Sequence, residues 1–256
     1  DDDTLPEEPE EPTPPQGPEP LVDFGQRGPH TVTEQPTTTT VTNCTSFEYT
    51  VYTPQGVTAP EVVVLGHGFA RGPGVMVGWA DHFASWGVEV LLPTLCHYNV
   101  LLGVDHEMNG QNMVELADLH GATQATYAGH SAGGHLALLA GTETPSARGV
   151  IAIAPITNII TYSQGTNTCQ EATSQFMGSN YDDNELGYHQ ANPAEKAPHS
   201  NTVIFHGSLD EIVPIEQSRL PGATTKLEEG AGHFDWIHPG TNGFKRIVKT
   251  ALGLMK

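Results

Sequence analysis

Ser131 stands in the middle of Gly129-His130-Ser131-Ala132-Gly133, between an apolar run at residues 125–128 and another at residues 134–140. This is the spacing of a serine at the apex of a tight strand-to-helix turn. Small neighbours let the backbone close there, and the hydroxyl is pushed into the open. Ala132 would begin the helix, so its backbone N–H has no intrahelical partner and can meet charge developing on a bound carbonyl. A glycine-rich turn can match this pattern by chance, so partners must decide. A strand-like run at residues 202–205 ends in His206-Gly207-Ser208-Leu209-Asp210, and another at residues 224–227 precedes Gly230-Ala231-Gly232-His233-Phe234. A hydroxyl, a carboxylate and an imidazole carried this way supply a nucleophile, a base to take its proton, and an anion to hold the base in one tautomer. Glu211 and Asp235 are rivals to Asp210, and a purely structural role is the alternative for His233.

The elements that must position these groups alternate in type along the chain. Residues 47–53 alternate aromatic and polar positions, the period of a half-buried strand. The Val-rich run at residues 61–65 reads as a central strand buried on both faces, and residues 88–92 and 149–154 read as further strands. Apolar residues at helical spacing predict helices over residues 78–86, 112–120 and 244–254. The strand at residues 61–65 stops at Gly66-His67-Gly68-Phe69-Ala70. Gly72-Pro73-Gly74 also follows it, but the third glycine is displaced to Gly78 and no ribose-binding acid follows, so a dinucleotide loop is rejected. His97, Asp105 and His106 share a loop, yet their spacing matches no strong metal-ligand pattern.

The chain order serine, acid, histidine, together with Gly-His-Ser-Ala-Gly and His67-Gly68-Phe69, resembles the α/β-hydrolase serine esterases. The likeness is to dienelactone-hydrolase-like and chlorophyllase-like enzymes and to bacterial cutinases acting on polyesters, and it covers residues 47–254. It implies an α/β-hydrolase fold: a mostly parallel central sheet with helices on both faces and a short cap insert between residues 156 and 200. It also implies a catalytic triad of Ser131, Asp210 and His233, with Phe69 and Ala132 as backbone oxyanion donors typically worth about 3 kcal/mol each. His67 would orient the loop. Phe69, His130, Ile156 and Trp236 are the expected substrate-binding residues, with Trp79 as a further candidate. In the insert, Phe176, Met177 and Tyr181 either reach the substrate or anchor the insert. Two departures concern polyesters: Ile156 stands where those enzymes commonly have tryptophan, and Ala132 where they usually have methionine. No cofactor or metal is implied.

The activity this points to is hydrolysis of short to medium or aromatic carboxylic esters through an acyl-enzyme, with polyesters as an extension. Amide or peptide cleavage, or a non-catalytic binding module on the same scaffold, are the alternatives. The 256 residues carry a formal charge of −20, and eight of the 30 acidic residues fall in the first 20 positions. The other 22 still outnumber the ten Lys and Arg, which argues against nucleic acid as a partner. Residues 1–46 read as an acidic, Pro-rich tether and linker, and residues 47–256 as one catalytic domain. That tether, with no apolar run of membrane-spanning length, predicts a monomeric protein that is secreted or tethered to the cell envelope. Among Cys44, Cys96 and Cys169 one disulfide can form, and Cys96 with Cys169 is the favoured pair because both are expected on the same edge of the sheet.

Overall fold

In Val62-Val63-Val64-Leu65 successive side chains point to opposite faces of a strand, and all four are buried. Such a segment is stable only between two apolar layers. The computed structural model describes residues 22–42, 44–69, 72–95 and 109–255, and within them the strand β3 (Val62–Gly66) lies near the middle of an eight-stranded sheet. The others are β1 (Val32–Val41), β2 (Cys44–Pro54), β4 (Glu89–Pro93), β5 (Ala125–His130), β6 (Ala147–Ile153), β7 (Thr202–Gly207) and β8 (Thr224–Glu228). Their spatial order is β1-β2-β4-β3-β5-β6-β7-β8. β1 and β2 run antiparallel to their neighbours, and every pairing from β4 to β8 is parallel.

Helices cover both faces. Val64, Tyr127 and Ala152 share one core with Met113 of α2 (Asn109–Leu119) and Leu136 of α3 (Ala132–Glu143). Val63, Ala128 and Ile151 share the other with Phe83 of α1 (Val77–Ala84) and with Phe244 and Ile247 of α8 (Asn242–Leu254). The residues of β3 thus divide between two cores by their parity, as the pleat requires. The eight-stranded, mostly parallel sheet flanked by helices is the α/β-hydrolase fold expected from the sequence. Between β6 and β7 four short helices form the insert: α4 (Ile159–Tyr162), α5 (Thr168–Glu171), α6 (Thr173–Met177) and α7 (Glu185–Gln190). None of the described helices is long and apolar enough to cross a membrane.

Two expectations need correction. The sheet begins before residue 47. Thr37 to Thr40, read as linker, lie in β1, where nine residue pairs join it to β2. Ahead of β1, Phe24 packs on Trp86 with ring centroids 5.0 Å apart, and the Gly28 N–H donates to Ser85 Oγ at 2.8 Å. Polar threonines suit an edge strand whose outer face meets water, which is why composition alone hid it. The second correction concerns the cysteines: Cys44 is disulfide-bonded and Cys169 is a free, exposed thiol, so Cys96 and Cys169 are not the pair. The acidic tether at residues 1–20, Cys96, and the loop residues His97, Tyr98, Asp105 and His106 lie outside the described residues.

Candidate active site

β5 delivers Ser131 at its carboxyl end and α3 starts at the next residue. Ser131 has φ 57° and ψ −121°, a strained conformation for a residue with a Cβ. What holds it there is the crossing of strand and helix. A Cβ on Gly129 would lie 2.2 Å from the Gly133 carbonyl oxygen, and one on Gly133 would lie 2.4 Å from the Gly66 backbone. Only glycine permits these approaches. The Ser131 N–H donates to the Ile153 carbonyl at 2.8 Å, tying the turn to β6.

The loops after β7 and β8 bring Asp210 and His233 together. Asp210 Oδ2 accepts a hydrogen bond of 2.7 Å from His233 Nδ1, while Oδ1 accepts from the Ile212 and Val213 N–H groups at 3.0 and 2.8 Å. Burial opposes the carboxylate's charge. The His233 hydrogen bond and charge, the Val213 N–H and nearby His206 outweigh it, so the carboxyl stays below its ordinary range. With the Nδ1 proton committed to Asp210, His233 presents Nε2 as its basic nitrogen. The rivals do other work: Glu211 is exposed, and Asp235 accepts the Gly232 N–H at 2.7 Å, shaping the turn before His233.

Ser131 and His233 both face one chamber with about 660 Å³ of empty space, its open mouth included. Phe69, His130, Ala132 and Ile156 line it as well. Among the described residues, no Lys, Arg, Asp or Glu does. The insert closes one side with Ile159, Tyr162, Cys169, Ala172, Thr173 and Phe176. Of these, the sequence marks only Phe176 as a candidate substrate contact, because no periodicity in a polar insert shows which residues turn inward. Gln217 fixes the root of the insert: its Oε1 accepts from the Thr157 and Asn158 N–H groups at 2.9 and 2.8 Å. Asn167 Nδ2 and Tyr162 OH donate to the Ile212 carbonyl at 3.0 and 3.1 Å, joining the insert to the loop that holds Asp210.

Two of the expected contacts are elsewhere. Trp236 is fully buried in the opposite core, its ring 5.8 Å from that of Phe205 and against Gly243, and Trp79 lies there with Phe83. Their aromatic bulk suited a pocket, but the helix-to-sheet layer claimed it first. Met177 belongs to the core on the insert side, and Tyr181 packs on Tyr188.

Two neutral histidines hold the site from behind. The Leu95 N–H donates to His67 Nε2 at 3.0 Å, so the proton is on Nδ1, which donates to the Gly68 carbonyl at 2.9 Å. Because the peptide is planar and trans, fixing that carbonyl turns the Phe69 N–H away from His67. His130 donates from Nε2 to the His233 carbonyl at 2.8 Å, and its ring lies 4.5 Å from the His233 ring. Burial lowers His67 to about 4. It lowers His130 to about 3, with the neighbouring His233 acting in the same direction. Both therefore stay uncharged in neutral solution. No group of three or more His, Cys, Asp or Glu able to hold a metal occurs among the described residues.

Comparison with known proteins agrees with this architecture. The prolyl oligopeptidase family (Peptidase_S9) model matches residues 111–233, which include Ser131, Asp210 and His233. No curated protein matches the chain in sequence. Among solved structures, an acylaminoacyl peptidase from Pyrococcus horikoshii superposes with a TM-score of 0.67 at 17% identity, over 88% of this chain and 41% of its own. A puromycin hydrolase gives a TM-score of 0.69 at 20% identity, over 87% and 39%. The chain thus spans about two-fifths of the length of these two proteins. A thermophilic esterase from Thermogutta terrifontis gives 0.64 at 16% identity, over 86% and 91%. What the chain has in common with these structures is the fold, and that fold is the α/β-hydrolase scaffold of serine esterases and peptidases.

Proposed function

We propose that this chain is a serine hydrolase that cleaves carboxylic esters through an acyl-enzyme. The observation that carries the reading is Ser131, held in a strained turn, at a chamber it shares with a histidine 2.7 Å from a buried carboxylate. His233 takes the hydroxyl proton as Ser131 attacks the ester carbonyl, and Asp210 stabilises the imidazolium that forms. The backbone N–H groups of Ala132 and Phe69 receive the oxyanion. The proton then passes from His233 to the leaving alcohol, and water repeats the sequence on the acyl-enzyme. A chamber that is mainly apolar and uncharged among the described residues supports a neutral acyl group, short to medium or aromatic, over a phosphorylated or anionic one.

A second reading is amide or peptide cleavage, favoured by the match to the prolyl oligopeptidase family model. The same triad serves both reactions, and the leaving group distinguishes them. Steady-state rates on p-nitrophenyl butyrate and on neutral peptide p-nitroanilides, side by side, separate the two. Ester turnover with negligible anilide turnover is expected. Erosion of polyester film would extend the substrate range to polymers. Ser131→Ala should abolish both turnover and covalent labelling by a fluorophosphonate, and labelling that survives in that variant would refute the nucleophile. The disulfide at Cys44 supports an oxidising compartment, in keeping with export.

A further inference from the structure

β7 carries a further imidazole towards the acid loop. His206 has the same parity in the strand as Ile204, so its side chain turns towards the core on the insert side, and it is wholly buried. Its Nε2 lies 2.9 Å from the Val213 carbonyl oxygen, so the proton is on Nε2, which donates there. Nδ1 is then a bare acceptor, and it has no hydrogen-bond partner among the described residues. Burial holds the ring below the ordinary imidazole value, so it is neutral. An apolar side chain of similar size would fill this space without leaving a buried nitrogen unpaired, so packing alone does not account for a histidine here. What the imidazole supplies is a donor at one point. The Val213 N–H donates to Asp210 Oδ1 at 2.8 Å while the Val213 carbonyl accepts from His206, so both ends of one residue are fixed. The same Nε2 is 3.7 Å from Asp210 Oδ2, too far for a hydrogen bond but close enough for its partial positive charge to favour the anion.

We propose that His206 is a positioning residue for the reaction, holding the loop at residues 210–213 so that the Asp210 carboxylate stays aligned on His233. This rests on the reading of Ser131, Asp210 and His233 as the triad of a serine hydrolase. His206 does not line the chamber, so it acts through Asp210. Without its N–H the Val213 carbonyl is left buried and unpaired, the loop relaxes, and the carboxylate meets His233 Nδ1 in a poorer geometry. The base then loses its orientation while the chamber that binds the ester is untouched.

The test measures kcat and KM for p-nitrophenyl butyrate in the wild type, His206→Leu, His206→Asn and His206→Gln, and repeats the leucine and asparagine changes in an Asp210→Asn background. His206→Leu and His206→Asn should each lower kcat about tenfold or more, the weight of one hydrogen bond that supports a charged group, with KM little changed. A glutamine amide nitrogen reaches the place of Nε2, whereas that of asparagine falls at the place of Nδ1, so His206→Gln should recover kcat to within about threefold of wild type. In the Asp210→Asn background the leucine and asparagine changes should alter kcat by less than about twofold, because a residue that acts through the carboxylate has nothing left to act on. Damage to the fold would instead multiply the two losses. The fluorescence of the buried Trp79 and Trp236 shows which variants fold. If neither the leucine nor the asparagine variant folds, His206 serves the fold itself and the inference is overturned. Wild-type kcat in a folded leucine or asparagine variant, a glutamine variant as slow as these, or losses that multiply with Asp210→Asn also overturn it, and all leave the hydrolase reading intact. A wild-type protein that does not cleave the ester, or one whose turnover survives Ser131→Ala, overturns the hydrolase reading and this inference with it.

Discussion

Acid should unfold this protein from within, through histidines the fold keeps neutral. His67, His130 and His135 are almost completely buried, and burial lowers them to about 4, 3 and 4, below the ordinary imidazole value of about 6.5. The unfolded chain binds a proton at each site as pH falls below that value, and the folded chain does not until its own lower value is reached. Their contribution to stability is therefore complete above pH 6.5 and is lost as pH falls towards 3 to 4. Between pH 7 and 5.5 each histidine forfeits slightly more than about 1 kcal/mol, so the three together remove about 3–4 kcal/mol. Below that the loss steepens to ~1.4 kcal/mol per pH unit for each group. His206, also buried and lowered, adds in the same direction, and Asp210 does so only below about pH 4. A net stability of roughly 5–15 kcal/mol leaves little margin for this. Urea unfolding followed by tryptophan fluorescence reports it, since Trp79 and Trp236 are fully buried. His135→Phe keeps the ring against Phe176 and removes one titrating group, so its loss between pH 7 and 5.5 should be smaller by about 1 kcal/mol. Equal unfolding free energies at pH 7 and 5.5, or a variant with the wild-type pH slope, would refute the reasoning.

Other outcomes follow from single contacts. Asp210→Asn should lower kcat by roughly 10³–10⁴-fold, because the asparagine amide no longer selects the histidine tautomer. An activity loss below tenfold would point to another acid. Trp236→Phe should cost about 1–3 kcal/mol of stability through lost core packing and leave KM unchanged. A raised KM at unaltered stability would return Trp236 to the substrate site. In the native protein, a thiol reagent should label Cys169 and spare Cys44, as read by peptide mapping, and the opposite pattern would restore the Cys96–Cys169 bond.

The residue order alone carried the scaffold. Glycines at 129 and 133 around a serine, then Asp210 and His233 beyond later strands, leave few folds that could use them, because each feature answers a local steric or chemical demand. The Val-rich strand at residues 62–65 was legible for a similar reason, since a segment apolar at every position must lie between two layers. Local sequence could not say which aromatic residue faces which layer. Trp236 and Phe176 are both large and apolar, but one is sealed beneath α8 and the other closes the chamber, and only the packing of α8 and the insert on the sheet separates them.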